Sequence, residues 1–356
     1  MIPLLDSVSH QSEISGTYEV ISTLLSHAQH QLVESATERF DFQSGGKRVR
    51  LSCTERLAKK LTPAIEHLKS TPHHDSELTI IAWEGSPTPL ELTPTEWQVA
   101  ACWERSEPVR ISANGAVALF DRYSSCVHLL DPSKRLAAIW FPSADEVPYW
   151  VTAAPMLRIL DWWFTPQQRV LCHGAAFGNS TGAALVVGPG GAGKSSLALG
   201  ALSAGLGYIG DDYVMVGAGE TGAEVGTLYC SGKVEPEQLS LQFPQLVSYQ
   251  HIAPKEDEDK VVILNPVEKM LNKAPIRAVI VPKICDSPEP VLNLIGSGEA
   301  LKALLPSVLQ QLNGSEQTKL SILSNIVTST PCYRLELSQD RTHNVSVIKR
   351  LLQLEP

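Results

Sequence analysis

Residues 188–195 read Gly-Pro-Gly-Gly-Ala-Gly-Lys-Ser, and no other segment limits the possible folds of this chain as tightly. The run fits G-x-x-x-x-G-K-[ST] throughout. An apolar, strand-like stretch (183–187) precedes it, and an Ala/Leu-rich helical stretch (194–204) follows it. A loop in that setting cradles phosphate for physical reasons. Its glycines let the backbone take positive φ and approach a ligand closely. Successive N–H groups then converge on an anion, and the N-terminus of the following helix adds partial positive charge. Gly188, Gly190, Gly191, Ala192, Gly193, Lys194, Ser195 and Ser196 are the expected nucleotide-binding residues. Lys194 is placed to reach the β- and γ-phosphates of ATP, and the Ser195 hydroxyl to ligate Mg²⁺. Ser196 also reads as a helix-start residue. The competing reading, a chance Gly-rich turn, does not explain the strand before the loop and the helix after it.

Residues 206–210 form a short predicted strand that ends in Asp211-Asp212, one crossover helix beyond Lys194. Strand ends near a loop strand are where open α/β sheets bind ligands. Adjacent carboxylates repel unless a cation neutralises them. One can hold Mg²⁺ while the other accepts the proton of an attacking hydroxyl. Asp211 and Asp212 are therefore candidate catalytic residues. Ser195 and Asp212 are the candidate metal ligands, with the division of roles within the Asp pair left open. A turn or cap pair is the plainer alternative. Upstream, His173-Gly174 lies in a strand-like segment (170–177), and 179–182 turns the chain back into the loop strand. A hairpin there would bring His173 near the phosphates, which makes it the third catalytic candidate, although a lone His is more often structural.

At 356 residues the chain is long enough for two domains. All seven tryptophans precede residue 164 and the phosphate loop follows residue 187, so the two parts have different jobs. The expected division is 1–150, a smaller accessory or substrate-recognition domain of α+β type, and 151–356, an α/β phosphate-loop domain. In the first part the pattern predicts a helix at 18–35 and a hairpin at 40–52 around Gly45-Gly46. It then predicts a helix at 53–68, a strand at 78–83, a Pro-rich loop at 86–94 and three strands between 116 and 141. A helix at 150–164 leads into the second part. There, strands are expected at 276–282 and 332–337, and helices at 298–312, 315–329 and 344–352. The tryptophans read either as core or as a partner-binding surface.

A net charge of −9 argues against a general nucleic-acid binder. The one dense acidic run, 255–260, reads as a solvated loop. No window approaches the ~18 to 20 apolar residues of a membrane span. The N-terminal residues carry an acid early and no basic region, so they do not read as a signal peptide, and a cytoplasmic protein is expected. The seven cysteines are scattered, with no C-x-x-C and no zinc spacing, as for free thiols in a reducing compartment.

Taken together, His173-Gly174, 188–196 and Gly210-Asp211-Asp212 resemble the HPr serine kinase/phosphorylase family, itself similar to phosphoenolpyruvate carboxykinases. The resemblance covers about residues 168–216 and rests on the short spacing from the loop to the Asp pair. It implies an HPr-kinase/carboxykinase-like second domain and an ATP- and Mg²⁺-dependent kinase acting on a hydroxyl of a peptide, protein or small molecule, most of all a serine. It also implies homo-oligomeric assembly. By that resemblance Lys194 and Ser195 serve nucleotide and Mg²⁺, Asp211 and Asp212 are the base and metal pair, and His173 lies by the phosphate. The sequence departs from the bifunctional enzymes: no acidic, Arg- and Gly-rich signature loop occurs between 214 and 286. Lys233, in Ser231-Gly-Lys-Val234, is the only cation near the pair in sequence, and reads as a phosphate contact or a solvated surface lysine. The layout looks more like HPr-kinase-related enzymes of bacterial gene clusters, including lasso-peptide precursor kinases. The alternative is a nucleotide-gated binding module or NTPase without a phosphoacceptor.

Overall fold

The computed structural model describes residues 9–34, 37–72, 74–89, 91–92, 109–121, 123–249, 251–252, 261–264, 267–312 and 315–353. The N-terminal residues, the acidic run 255–260, the end of the Pro-rich loop, Trp97, Trp103 and Cys102 lie outside them. Two compact units interleave along the chain. The first comprises the described residues up to Thr62, then Lys69–Val151 and Met156–Trp163. The second comprises Pro63–Leu68, Thr152–Pro155 and everything from Phe164.

The first unit opens with helix α1 (Ser9–Glu34). Strands β1 (Thr37–Ser44) and β2 (Lys47–Thr54) follow as an antiparallel pair closing on Ser44↔Lys47. Gly45 and Gly46 both take positive φ, which a two-residue turn of that hand requires. Thr54 accepts the Leu57 N–H and caps α2 (Glu55–Leu61). The expected helix 53–68 stops here, because Pro63 cannot continue the hydrogen-bond ladder; Pro63–Leu68 is a 3-10 turn. Strands β3 (Leu78–Glu84), β4 (Val109–Ile111), β5 (Val117–Asp121), β6 (Cys126–Asp131) and β7 (Leu136–Phe141) complete a seven-stranded sheet. Its order is β1-β2-β3-β7-β6-β5-β4, with β2–β3 and β3–β7 parallel. Ile21, Leu24, Leu25 and Ala28 of α1 pack on one face, against Ile81, Val127, Leu129 and Ala138. Trp83 and Trp140 are cross-strand neighbours in that same core, so these two serve packing.

The expected helix 150–164 is two helices, α3 (Tyr149–Ala153) and α4 (Leu157–Phe164). Pro155 breaks the ladder, and Met156 turns the chain at φ +57.

The second unit is mixed α/β. Its strands are β8 (Arg169–Asn179), β9 (Gly182–Val187), then, after α5 (Lys194–Ser203), β10 (Gly207–Gly210), β11 (Tyr213–Gly219) and β12 (Gly222–Gly226). Next come β13 (Ser231–Val234), α6 (Pro236–Gln242), β14 (His251–Ile252), β15 (Val261–Leu264), β16 (Lys273–Ser287) and β17 (Val291–Ile295). Helices α7 (Ser297–Gln311) and α8 (Glu316–Ser329), strand β18 (Cys332–Ser338) and α9 (Arg341–Leu351) end the unit.

Strand β8 organises the large sheet. Its first half pairs with β11, and its second half pairs with β9 on one edge and β10 on the other. Strand β9 continues in parallel to β16, and β16 to β18. Strand β10 is therefore not beside the loop strand; β8 lies between them. The strands are apolar on both faces, as a sheet covered twice must be. Phe177, Ala184 and Val186 face α5 and α9, whereas Val170, Leu185 and Val187 face α7 and α8. Strands β13, β15 and β14 form a separate small sheet.

Candidate functional site

The loop of 188–193 joins the end of β9 to the start of α5. Gly191 and Gly193 have φ of +77° and +100°. At Gly193 the left-handed backbone disfavours any side chain, and an added Cβ would lie 2.5 Å from Leu337 Cδ1, so the leucine would have to shift. Lys194 is buried under the loop, and its ammonium donates to the Gly188 and Pro189 carbonyls at 2.9 and 3.1 Å. The first-turn N–H groups of α5 thus head a loop already organised around a cation. Against Gly193 and Ser196 opens a cavity of about 180 Å³, walled also by Leu337, Gln339 and Arg341. The Arg341 guanidinium lies over the Phe243 ring.

The two edges of β8 carry the other candidates to this place. Gly174↔Val187 is the last pair of the β8–β9 hairpin, so His173 stands at the first residue of the loop. On the opposite edge, Gly210↔Ala176 and Tyr213↔His173 share one register. Asp211 and Asp212 therefore interrupt a continuous edge rather than end a strand. Asp212 takes φ +73, and its carbonyl accepts the Gly174 N–H at 3.0 Å. Gly174 must be small here, because an added Cβ would meet the Val186 carbonyl oxygen at 2.8 Å.

The kink aims the two carboxylates into different surroundings. Asp212 Oδ1 pairs with His173 Nε2 at 3.1 Å, and Oδ2 with the Lys233 ammonium. The His173 ring also lies on Tyr213, 5.4 Å between centroids. Burial works against the Asp212 charge, but Lys233 and His173 outweigh it and hold this carboxyl well below the usual range. Asp211 is 1% exposed, and neither of its oxygens has a well-formed hydrogen bond. Burial first, then the Asp212 charge, push it up to about 6; the Ser195 hydroxyl facing it and the Lys233 charge pull the other way. A buried carboxylate beside a serine hydroxyl, with no strong hydrogen bond on either oxygen, is a donor set for a hard divalent cation.

The structure thus brings together His173, the loop through Ser195, Asp211 and Asp212. The residue that sequence reasoning did not commit to is Lys233. It is no solvated surface lysine: it sits on β13, 18% exposed, against Asp212. The Tyr208 hydroxyl fixes that strand by donating to the Ser231 carbonyl at 3.0 Å.

No protein-family model matches the sequence, and no curated protein matches it. Among solved structures, the Hpr(Ser) kinase/phosphatase from Coxiella burnetii is similar over 52% of this chain and 94% of its own, at 11% identity and a TM-score of 0.28, a likeness that by itself assigns neither fold nor function. Among the described residues, no helix is long and apolar enough to cross a membrane.

Proposed function

We propose that this chain is an ATP- and Mg²⁺-dependent kinase that transfers the terminal phosphoryl group to a hydroxyl, most of all a serine of a peptide or protein. One observation carries the reading: the two edges of β8 deliver a phosphate-loop sequence and two carboxylates of opposite electrostatic character to the same spot. In this reading the loop N–H groups and α5 N-terminus hold the β- and γ-phosphates, and Lys194 leaves the Gly188 and Pro189 carbonyls for phosphate oxygens. The nucleoside end extends into the cavity beside Gly193, Ser196 and Arg341.

Asp211 and Ser195 are the metal ligands of this proposal. The metal role expected of Asp212 passes to its neighbour, because both Asp212 oxygens are engaged by His173 and Lys233, whereas Asp211 has only weak contacts, from the Ser195 hydroxyl and the Asp212 backbone. Mg²⁺ held by these two residues would supply charge neutralisation to the phosphates. Asp212, aligned by His173 at Oδ1, accepts the proton of the attacking hydroxyl on Oδ2, which Lys233 gives up, as the new O–P bond forms and ADP departs with the electrons of the broken one. The transition state is loose, so positioning and charge matter more than a strong base. Lys233 balances the Asp212 charge at rest and the transferred phosphoryl's charge during the step.

The test is incubation of the full chain with ATP, Mg²⁺ and a serine-containing peptide library, read by mass spectrometry. Wild type is expected to yield phosphopeptide, and Asp212→Asn to bind ATP but transfer nothing. ADP formation without any phosphorylated acceptor would favour an NTPase or nucleotide-gated module, and failure to bind ATP·Mg²⁺ in calorimetry would sink both readings.

A further inference from the structure

The first unit holds a side-chain cluster that phosphoryl transfer does not use. Asp121 ends β5 directly opposite Cys126, the first residue of β6. His128 lies two residues further on, so strand alternation sets it on the same face as Cys126. That face is turned from α1, whose neighbours are Val127 and Leu129, and toward Trp162 of α4, which meets the imidazole edge-on at 6.4 Å. Donor atoms of Asp121, Cys126 and His128 all lie within 4.8 Å of one another. Cys126 Sγ and His128 Nε2 are 3.2 Å apart. Zinc bonds of about 2.3 Å to sulfur and about 2.0 Å to nitrogen, at a tetrahedral angle, separate such donors by about 3.5 Å. A shift of a few tenths of an ångström therefore admits the ion.

We propose that Asp121, Cys126 and His128 form a binding site for a divalent ion of the zinc class, with water in the fourth position. Cys126 and His128 are buried and Asp121 is partly open, so ion and water enter by the carboxylate. The Tyr123 and Ser124 N–H groups donate to Asp121 Oδ1 at 2.9 and 3.3 Å and orient it. The Arg158 charge acts on the same imidazole and opposes a cation. The thiolate and carboxylate bring two negative charges against that one. Sulfur and imidazole select zinc or cobalt over magnesium, so this site and the Ser195–Asp211 pair take different ions. The hairpin assembles the ligands; the sequence spacing, Asp-x₄-Cys-x-His, matches no zinc motif.

The tag-free, reduced full chain is titrated with Co²⁺ and followed by absorbance. A near-ultraviolet sulfur-to-cobalt band should saturate at a single ion per chain, disappear on adding Zn²⁺, and withstand excess Mg²⁺. Cys126→Ser should lack the band, and Asp121→Asn should bind Co²⁺ at least about tenfold more weakly. Cys126→Ser leaves the other six thiols in place, so loss of its band assigns the signal to Cys126. Metal-free circular dichroism shows whether each variant folds; if Cys126→Ser does not, the Asp121→Asn affinity decides. No band in wild type, or an unchanged band or affinity in the folded variants, overturns the site.

Discussion

Asp211 and Asp212 have the same side chain and adjacent positions, yet their environments drive them apart. Asp211 has a folded pKa near 6 against an ordinary 3.8. For a group raised in this way, the stabilising contribution is complete below about pH 4 and is lost as pH rises through 6. By neutral pH the metal-free protein gives up on the order of 3 kcal/mol at this one group. Asp211→Asn should therefore raise the metal-free Tm at pH 7.5 and flatten its pH dependence between about 4 and 6, while phosphoryl transfer disappears; thermal scans across pH decide, and a Tm below wild type contradicts this account. On the proposed metal role, protons and Mg²⁺ compete for the same oxygens, so Mg²⁺ affinity should fall as pH drops below about 6, a trend calorimetry can follow. Asp212 has the opposite sign: its pKa is depressed, so its contribution is present above the ordinary carboxyl range and lost in acid. Lys233→Met takes away the charge that lowers it. Transfer is expected to slow at least tenfold with ATP affinity nearly unchanged, because the lysine faces Asp212 and not the loop. A raised KM with normal kcat would instead make Lys233 a nucleotide contact.

At the scale of elements, what could be read from the sequence was what is decided within a few residues. The Gly45-Gly46 turn, the strand–loop–helix around 188–195, the β8–β9 hairpin and helices α7 to α9 lie close to their expected positions. Pairing between distant strands could not be read. That β8 separates β10 from β9, and that β11 continues β10 along its edge, depends on partners dozens of residues away. Strand β11 ends in Gly-Ala-Gly and β13 is four residues long, so neither shows a two-residue alternation to detect. Lys233 was undecidable for the same reason. Strand β16 was expected only from 276 to 282, between two prolines, but spans Lys273–Ser287; Pro282 lies past Ile280, the last partner of β9, where a missing N–H costs little. The loop makes its own prediction. Nothing lies within 4 Å of a Cβ added at Gly190, whereas Gly193 is left-handed and crowded by Leu337. Gly190→Ala should keep the wild-type Tm. Gly193→Ala should cost about 1–2 kcal/mol from the backbone alone, more with the collision, and lose ATP binding. Equal melting of the two variants would mean that the loop readily rearranges.

The whole molecule is not divided by one cut. Pro63–Leu68 belongs with the second unit although more than eighty residues of the first follow it. The Ala64 carbonyl accepts the Cys230 N–H at 2.8 Å, and His67 Nε2 hydrogen-bonds the Thr227 hydroxyl at 2.9 Å. Burial drives the His67 pKa down to about 4, as for a neutral ring enclosed at neutral pH. These contacts brace 227–230, the stretch leading directly into β13 and Lys233. A fragment starting at residue 151 would keep the loop, Asp211 and Asp212 but lack this brace. The Cys230 N–H would lose its partner, at a cost of about 1–3 kcal/mol if it stays buried. The fragment should melt several degrees below the full chain, and it should lose phosphoryl transfer more severely than ATP binding, because the loop lies on β9 and α5 while Lys233 rides on the unbraced strand. Adding the separate segment 63–68 as a peptide should restore part of the lost Tm. A fragment that melts with the full chain and transfers phosphate as well would show that 63–68 is only a passing connection.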